Sequence, residues 1–366
     1  MTYDVIIVGG GIAGASLGAQ LAADMKVLII EAEDLCGRHS TGRSAAFWQA
    51  SLGGGNPAVG LSLLSKPMFD AGWPGAETPL LKPRGALHLT SARRHGFDHL
   101  DELAPEYRPT RVDRAKAEQH LPGLREQWTG AWWEPTCADI DVAAFHSACL
   151  TAVRRGGGEV LNGAELLAAR KLGDGWRVEI TGGALSCGLL VNAAGAWADE
   201  VARRAEVAPI GLQPRRRTVV QLRVGRRGLK AIPFVTDLHQ SFYFKGEADN
   251  SVWVCPLDET PVDPCDAAPE ELDVAVAIER FQGAVDWPVE AVERKWAGLR
   301  TFAPDRVMVF GADPEQDGFF WCAGQGGMGI QTAPAASLLC AELIRGEPET
   351  VVDALPFSPA RFHQPR

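Results

Sequence analysis

The sequence is short of several things, and each shortage excludes something. Basic residues are outnumbered, with 36 Lys and Arg against 46 Asp and Glu and a formal charge of −10. A sequence-independent nucleic-acid binder needs a net basic face, and a polybasic membrane-surface protein needs a cationic cluster; neither is expected. None of the eight cysteines (Cys36, Cys137, Cys149, Cys187, Cys255, Cys265, Cys322 and Cys340) forms a CxxC pair, and no His/Cys cluster has zinc spacing, so no metal is expected. Cysteines scattered in this way are expected as reduced, mostly buried thiols in a cytoplasmic protein. No apolar run is both long and uninterrupted. Val5–Ala23 carries no charge over 19 residues, close to the ~20 of a membrane span. Five glycines interrupt it, however, and only Met1, Thr2, Tyr3 and Asp4 precede it, with no basic leader. Neither a transmembrane segment nor a signal peptide is expected, and there is no internal repeat.

What is present begins with length. At about 100–200 residues per domain, 366 residues suggest two or three domains. Charged residues at 22% and hydrophobic residues at 46% are ordinary for a globular chain. Glycine, at 40 residues, is in surplus over the usual ~7%, which asks where bare backbone is needed.

The N-terminus answers first. Tyr3–Val8 is a β-branched apolar run suited to a buried parallel strand, Ala13–Ala23 reads as a helix, and Lys26–Ile30 as a second strand closed by Glu31. Between strand and helix stand Gly9, Gly11 and Gly14 in GxGxxG spacing, with Glu31 twenty residues after Gly11. In such a unit the first glycine permits the turn, the second lets a pyrophosphate approach, and the third lets helix and strand pack closely. The helix N-terminus offers N–H groups and partial positive charge to phosphates. An acid at position 31 suits ribose hydroxyls and disfavours a 2′-phosphate. The unit predicts dinucleotide binding, without deciding between FAD and NAD.

Three further segments bear on that choice. His39–Ala46 is small, hydroxyl-rich and carries one arginine; its plainer reading is a polar loop with Ser44 capping a following helix. Leu189–Val191 leads into the small-residue turn Asn192–Asp199, and Phe319–Ala323 leads into Gly324–Thr332 and a helix running to about Arg345. Alone, each is ordinary packing. Together they suggest one long cofactor lying across several strand-to-helix turns. Asp141 is expected to cap a helix over Val142–Arg154, and Thr218–Val224, Phe234–Thr236, Ser241–Lys245 and Ser251–Cys255 read as strands. Ala267–Gln282 reads as an amphipathic helix, and the tail after Pro356 as irregular.

The stretches His39–Ala46, Gly211–Arg217, Ser241–Tyr243, Trp296–Arg300 and Gly326–Thr332 resemble the glycine oxidase/D-amino acid oxidase family of FAD-dependent amine oxidoreductases over nearly the whole chain, and within it the D-arginine dehydrogenase branch most. The resemblance implies an α/β fold in which a Rossmann-like FAD-binding domain (1–75, 143–206 and 301–350) interleaves with a mixed-sheet α+β substrate domain (76–142 and 207–300). It implies FAD held by Gly9, Gly11, Ile12, Ala13, Gly14, Glu31, Ala32, Ser40, Thr41, Gly42, Arg43, Ser44, Ala45, Ala46, Ala164, Ala194, Gly195, Trp197, Gly326, Gly327, Met328, Gly329, Ile330, Gln331 and Thr332. It implies hydride transfer from an amine-bearing carbon of a D-amino acid or related amine, with O2 or a quinone- or dye-type acceptor taking the electrons. Some relatives tether FAD through a cysteine near the segment read here as Gly298–Phe302; none stands there, so non-covalent FAD is expected.

In that family Arg217 and Arg300 fall at carboxylate-binding positions, with Tyr243 beside them. An arginine fork binds a carboxylate by two charge-assisted hydrogen bonds. Arg215–Arg217 also reads as a solvated cluster, in which alternation sends 215 and 217 to one face and 216 to the other. The substrate pocket would be Phe47, Trp48, Leu52, Ala86, Met328 and Gly329. Here the sequence departs from the branch it resembles: Ala86 replaces an acid that grips a guanidinium, Phe47 and Leu52 replace a His and a Tyr, and Met328 replaces a Tyr. All four changes favour apolar or bulky side chains over cationic ones. An FAD-dependent 2-hydroxy-acid dehydrogenase shares the same motifs and is the alternative; a non-catalytic flavoprotein is a third reading. His39 and His88 are expected to be structural or surface residues.

Overall fold

A computed structural model describes residues 2–93 and 96–363. Among them, the first strand, Thr2–Val8, pairs in parallel with Val27–Ile30 on one side and Gly183–Asn192 on the other, in register Val8↔Ile30 and Val8↔Asn192. Glu159–Leu161 and Phe319–Ala323 extend this parallel core. Leu166–Leu172, Gly175–Ile180 and Val309–Ala312 add antiparallel strands, giving eight in all. Both faces are covered, which is why Val5–Val8 is continuously apolar. Ile6 and Val8 point to a core with Ala198 and Val201, while Val5 and Ile7 point to one with Leu17, Leu21, Val153 and Leu339. Helix Ile12–Leu21 lies between helices Val142–Arg155 and Gly329–Arg345 on that second face.

A second eight-stranded sheet runs in the order Val289–Phe302, Gln213–Val224, Ser251–Cys255, Tyr243–Ala248, Phe234–Asp237, Ala86–Ser91, Trp128–Glu134 and Thr110–Asp113. One face packs on helix Glu271–Ala284 through Phe244, Val252, Val254 and Phe281. The other carries Val219, Tyr243, Ala86 and Cys255. A small three-stranded sheet of Phe47–Trp48, Ala138–Ile140 and Leu81–Pro83 stands apart from both. The chain passes repeatedly between the two large sheets, so neither is one consecutive block.

Several local expectations are met. The Asp141 carboxylate accepts from the Ala144 N–H at 2.9 Å and caps its helix, and the four strands expected within 218–255 form, Ser251–Cys255 with its expected bounds and the others with shifted ends. Others are corrected. No helix follows Ser44: its Oγ accepts from the Ala46 N–H, Ala46 turns to φ +51°, and Phe47–Trp48 becomes a strand on Ala138–Ile140. The helix expected from Ala267 begins at Glu271, after Pro269, whose missing N–H suits a helix start and not its interior. The tail is not wholly irregular, since Leu355–Phe357 and Pro359–Phe362 form single 3₁₀ turns.

Candidate active site

The two large sheets enclose a long cavity of about 530 Å³. At one end stand Glu31, Ala164 and Arg204; at the other stand Arg217, Tyr243, Arg300 and Gln331. Gly9 adopts φ +108°, and a side chain on it would strike the Ala193 carbonyl. A methyl on Gly14 would overlap the Gly9 carbonyl oxygen, so the glycine brings helix Ile12–Leu21 directly onto the first strand. Gly11 caps that helix without a side chain of its own, so the positive helix end faces the cavity unobstructed. The Thr41 Oγ1 fixes the turn by accepting from the Ile12 N–H at 3.0 Å. The Glu31 carboxylate is held by the Gly10 and Glu33 N–H groups at 2.8 and 3.0 Å. A helix N-terminus, a side-chain-free approach and an anchored acid fit the pyrophosphate and ribose of a dinucleotide.

Of the residues expected to hold the cofactor, Gly9, Gly11, Ile12, Ala13, Glu31, Ala32, Ser40, Thr41, Arg43, Ser44, Ala45, Ala46, Ala164, Ala194, Gly195, Trp197, Gly326, Gly327, Gly329, Ile330 and Gln331 line the cavity. Four do not. Gly14 lies beneath the turn as described. Gly42 is folded into a turn through its N–H to the Gly37 carbonyl, at 2.8 Å. Met328 is buried at the edge of a core cluster with its thioether beside Gly53, and Thr332 turns its hydroxyl back to the Met328 carbonyl at 2.9 Å.

Among the substrate-pocket residues, Phe47, Leu52 and Gly329 line the cavity, and Trp48, Ala86 and Met328 do not. Strand alternation sends Trp48 away from Phe47 into the core, where its indole N–H donates to the Ser62 carbonyl at 2.9 Å. Ala86 is wholly buried in the layer of Phe234 and Tyr243 behind the cavity wall.

Arg217, Tyr243 and Arg300 come together from three strands and all line the cavity. Arg217 and Arg300 sit on neighbouring antiparallel strands, where Arg217 faces Gly298 and Arg300 faces Arg215. Alternation separates the arginine triplet: Arg216 pairs with Glu270 and Asp273 at the start of the outer helix, while Arg215 and Arg217 both reach Glu259. Arg217 is 6% exposed; its Nη2 donates to Glu259 at 2.9 Å, and its Nε and Nη1 have no acceptor. The half-buried Arg300 guanidinium has no hydrogen-bond acceptor among the described residues. Burial first, then the Arg217 charge, push its pKa down to about 10. Burial, with Cys255 beside it, pushes the Tyr243 phenol well above its usual value, so Tyr243 keeps its proton as a donor.

Sequence reasoning missed a buried polar network behind Leu52. The wholly buried Glu134 carboxylate meets His88 Nε2 at 2.9 Å, Ser51 Oγ at 2.6 Å and Gln49 Nε2 at 3.3 Å. Gln49 N–H in turn donates to Gln331 Oε1 at 3.2 Å. Burial would push the Glu134 carboxyl up, but His88 and Ser51 outweigh it and hold it below the usual range. A lone acid between Trp133 and Pro135 carries no signal for this. Glu134→Ala is expected to cost about 3–5 kcal/mol of folding stability by leaving buried partners unpaired; a denaturant midpoint unchanged from wild type would refute it.

With the site laid out, the class is a dinucleotide-binding flavoprotein of mixed α/β fold. The chain belongs to the DAO family of FAD-dependent oxidoreductases, whose model matches residues 4–343, and FAD is its cofactor. It is 26% identical to the hydrogen cyanide synthase subunit HcnC of Pseudomonas aeruginosa, covering 99% of this chain and 96% of that one. It is 25% identical to the glycine oxidase of Geobacillus kaustophilus, over 98% and 97%. The crystal structure of that glycine oxidase superposes with a TM-score of 0.83 (98% and 99% covered, 24% identity). That of L-proline dehydrogenase from P. horikoshii gives 0.85 (99% and 98%, 21%). No helix among the described residues is long and apolar enough to cross a membrane, and no group of described residues is arranged to hold a metal ion.

Among the described residues no cysteine lines the cavity, and Cys322, the nearest in chain to the glycine-rich turn, is buried in its strand. Acid precipitation is therefore expected to leave the flavin in the supernatant; a yellow pellet would contradict this.

Proposed function

We propose that this chain oxidises the C–N bond of a D-amino acid, or of a related secondary or cyclic amine, with a preference for apolar or bulky side chains. The observation that carries this reading is the Arg300 guanidinium, turned to the cavity without an acceptor beside two unsatisfied nitrogens of Arg217. Buried cations of this kind call for an anion, and a substrate carboxylate meets the fork in two charge-assisted bonds. The Tyr243 hydroxyl would add a third donor. When bound, FAD would supply the two-electron acceptor for hydride from the amine-bearing carbon. The protein's part is to orient the substrate so that this carbon faces the ring and to exclude water. The resulting imine takes up water to give a keto acid or ketone and releases its nitrogen as ammonia or, from a secondary amine, as a primary amine. The amine-oxidising names of relatives such as glycine oxidase and L-proline dehydrogenase support the same reading.

The preference for apolar side chains rests on the walls. Phe47, Leu52 and Val219 line the substrate end. The acids of the cavity, Glu31, Glu33, Glu165 and Glu200, stand with Arg204 and His39 around the dinucleotide end, where each has a partner. A cationic side chain would lose its hydration without finding a carboxylate. The likeness to D-arginine dehydrogenases would thus extend to the carboxylate clamp and not to the side-chain specificity. The interleaved segments 1–75, 143–206 and 301–350 would act as the FAD domain and 76–142 and 207–300 as the substrate domain. Eight unpaired cysteines suit a reducing, cytoplasmic setting, and O2 or a quinone-type acceptor would reoxidise the flavin.

Anaerobic flavin bleaching across D- and L-amino acids and cyclic amines tests the reading. D-Leu, D-Met and D-Phe should surpass D-Arg and D-Lys in kcat/KM. D-Arg surpassing them would overturn the specificity, and bleaching by 2-hydroxy acids alone would replace the amine reading with the hydroxy-acid one.

A further inference from the structure

We propose that Glu259 is a specificity-determining counter-ion: its carboxylate neutralises Arg217 from outside the cavity, so that the site accepts one substrate carboxylate and rejects a second. The inference rests on the carboxylate-clamp reading above.

Glu259 lies between strand Ser251–Cys255 and helix Glu271–Ala284, in a segment strapped to the arginine strand. Arg215 Nη1 donates to the Glu259 carbonyl at 3.0 Å, the Arg216 N–H to the Thr260 carbonyl at 2.9 Å, and the Val262 N–H to the Pro214 carbonyl at 3.1 Å. The backbone is thereby fixed, and the side chain turns to Arg217. Glu259 Oε1 accepts from Arg217 Nη2 at 2.9 Å, and both oxygens accept from Arg306 Nη2 at 3.0 Å. Arg217 lines the cavity and Glu259 does not. The acid therefore acts on the ligand through the charge of Arg217 and touches no ligand itself.

A count of local charge shows the consequence. Four guanidiniums surround the place, Arg215, Arg217, Arg300 and Arg306; only Arg217 and Arg300 line the cavity, and Arg215 is turned to the Glu259 carbonyl. Arg306 is at the rim, 48% exposed and stacked over the Phe302 ring at 4.0 Å, where water screens it. The neighbouring Asp258 is engaged elsewhere, accepting from the Thr218 N–H at 2.7 Å and Oγ1 at 2.9 Å. Within the cavity, Arg217 is offset by Glu259 and Arg300 is offset by nothing. One net positive charge meets one carboxylate. A dicarboxylate would bring a second charge into a partly dry site with no cation left to meet it.

Acetate and malonate titrated into the holoenzyme, and followed by the visible flavin spectrum, test this. Wild type should bind acetate more tightly than malonate. A neighbouring charge shifts proton affinity by ~1–3 units, and the same field acts on a bound carboxylate. Glu259→Gln should therefore tighten malonate by about tenfold, tighten acetate less, and reverse their order. Glu259→Asp should retain the wild-type order. A gain in affinity does not arise from a damaged fold, so the result separates charge tuning from structural support. Wild type preferring malonate, or an unchanged malonate/acetate ratio in Glu259→Gln, would overturn the inference; the wild-type comparison decides even if that variant fails to fold. Arg300→Met in the same titration separates the two levels. Loss of acetate binding there, with an unchanged ratio in Glu259→Gln, rejects only the role of Glu259. Unchanged acetate binding in Arg300→Met rejects the clamp itself.

Discussion

Replacing Arg300 with methionine is expected to raise KM for a carboxylate-bearing substrate by about 10²- to 10³-fold. The guanidinium stands in the cavity without an acceptor, so its hydrogen-bonding capacity is free for the ligand. Each charge-assisted bond contributes ~1.5–3 kcal/mol, and losing a two-bond fork at the lower end of that range is worth about 3–4 kcal/mol, or that fold-change. Lysine at this position retains charge but loses the fork, so Arg300→Lys should fall between. The pH dependence follows from the same group. Its pKa is pushed down to about 10 by burial and by Arg217, and only the charged form binds an anion. Affinity for acetate should be constant well below pH 10 and fall as pH rises through it, with Arg300→Met showing no such fall. Acetate also avoids the titration of a substrate amine. An equal fall in Arg300→Met would contradict the assignment.

The second large effect is expected at Gly14. Alanine there places a methyl on the Gly9 carbonyl oxygen, which is backbone and has no flexible end to swing aside. The helix must back away from the strand, at about 1–3 kcal/mol of overpacking, and its N-terminus leaves the pyrophosphate position. Gly14→Ala should purify with most of its flavin absorbance lost and a lower Tm. Gly183→Ala provides the contrast: a Cβ there meets nothing within 4 Å, and its φ is not left-handed, so both readings should match wild type. Equal flavin content in Gly14→Ala and Gly183→Ala would refute the packing argument.

These two positions also mark how far the sequence was legible. Gly14 could be read from spacing alone, because strand, glycines, helix and acid fall in one short segment governed by local rules. The arginine pair was visible only through family likeness. The strand that carries Arg300, Val289–Phe302, has an exposed, charged first half around Glu290, Glu293, Arg294 and Lys295, so it lacks the alternation that announces a strand. Trp48 shows the opposite failure: it is expected in the substrate pocket together with Phe47, but adjacent residues on a strand face opposite ways. Glu134 and Glu259 had no local signature, since their partners come from 46 and 42 residues away or more. Such charges acquire meaning only when the sheets meet. The Ser44 segment failed for a similar reason, because pairing with Ala138–Ile140 outweighs the local capping preference.

The most direct measurement is anaerobic reduction of the flavin by D-phenylalanine, D-phenylalaninamide and D-3-phenyllactate in a stopped-flow instrument, wild type against Arg300→Met. Wild type should bleach rapidly with the amino acid, far more weakly with the amide, and negligibly with the hydroxy acid, and Arg300→Met should remove the preference for the acid over the amide. Equal bleaching by acid and amide in wild type, or faster bleaching by the hydroxy acid, would contradict a carboxylate-clamped amine oxidation.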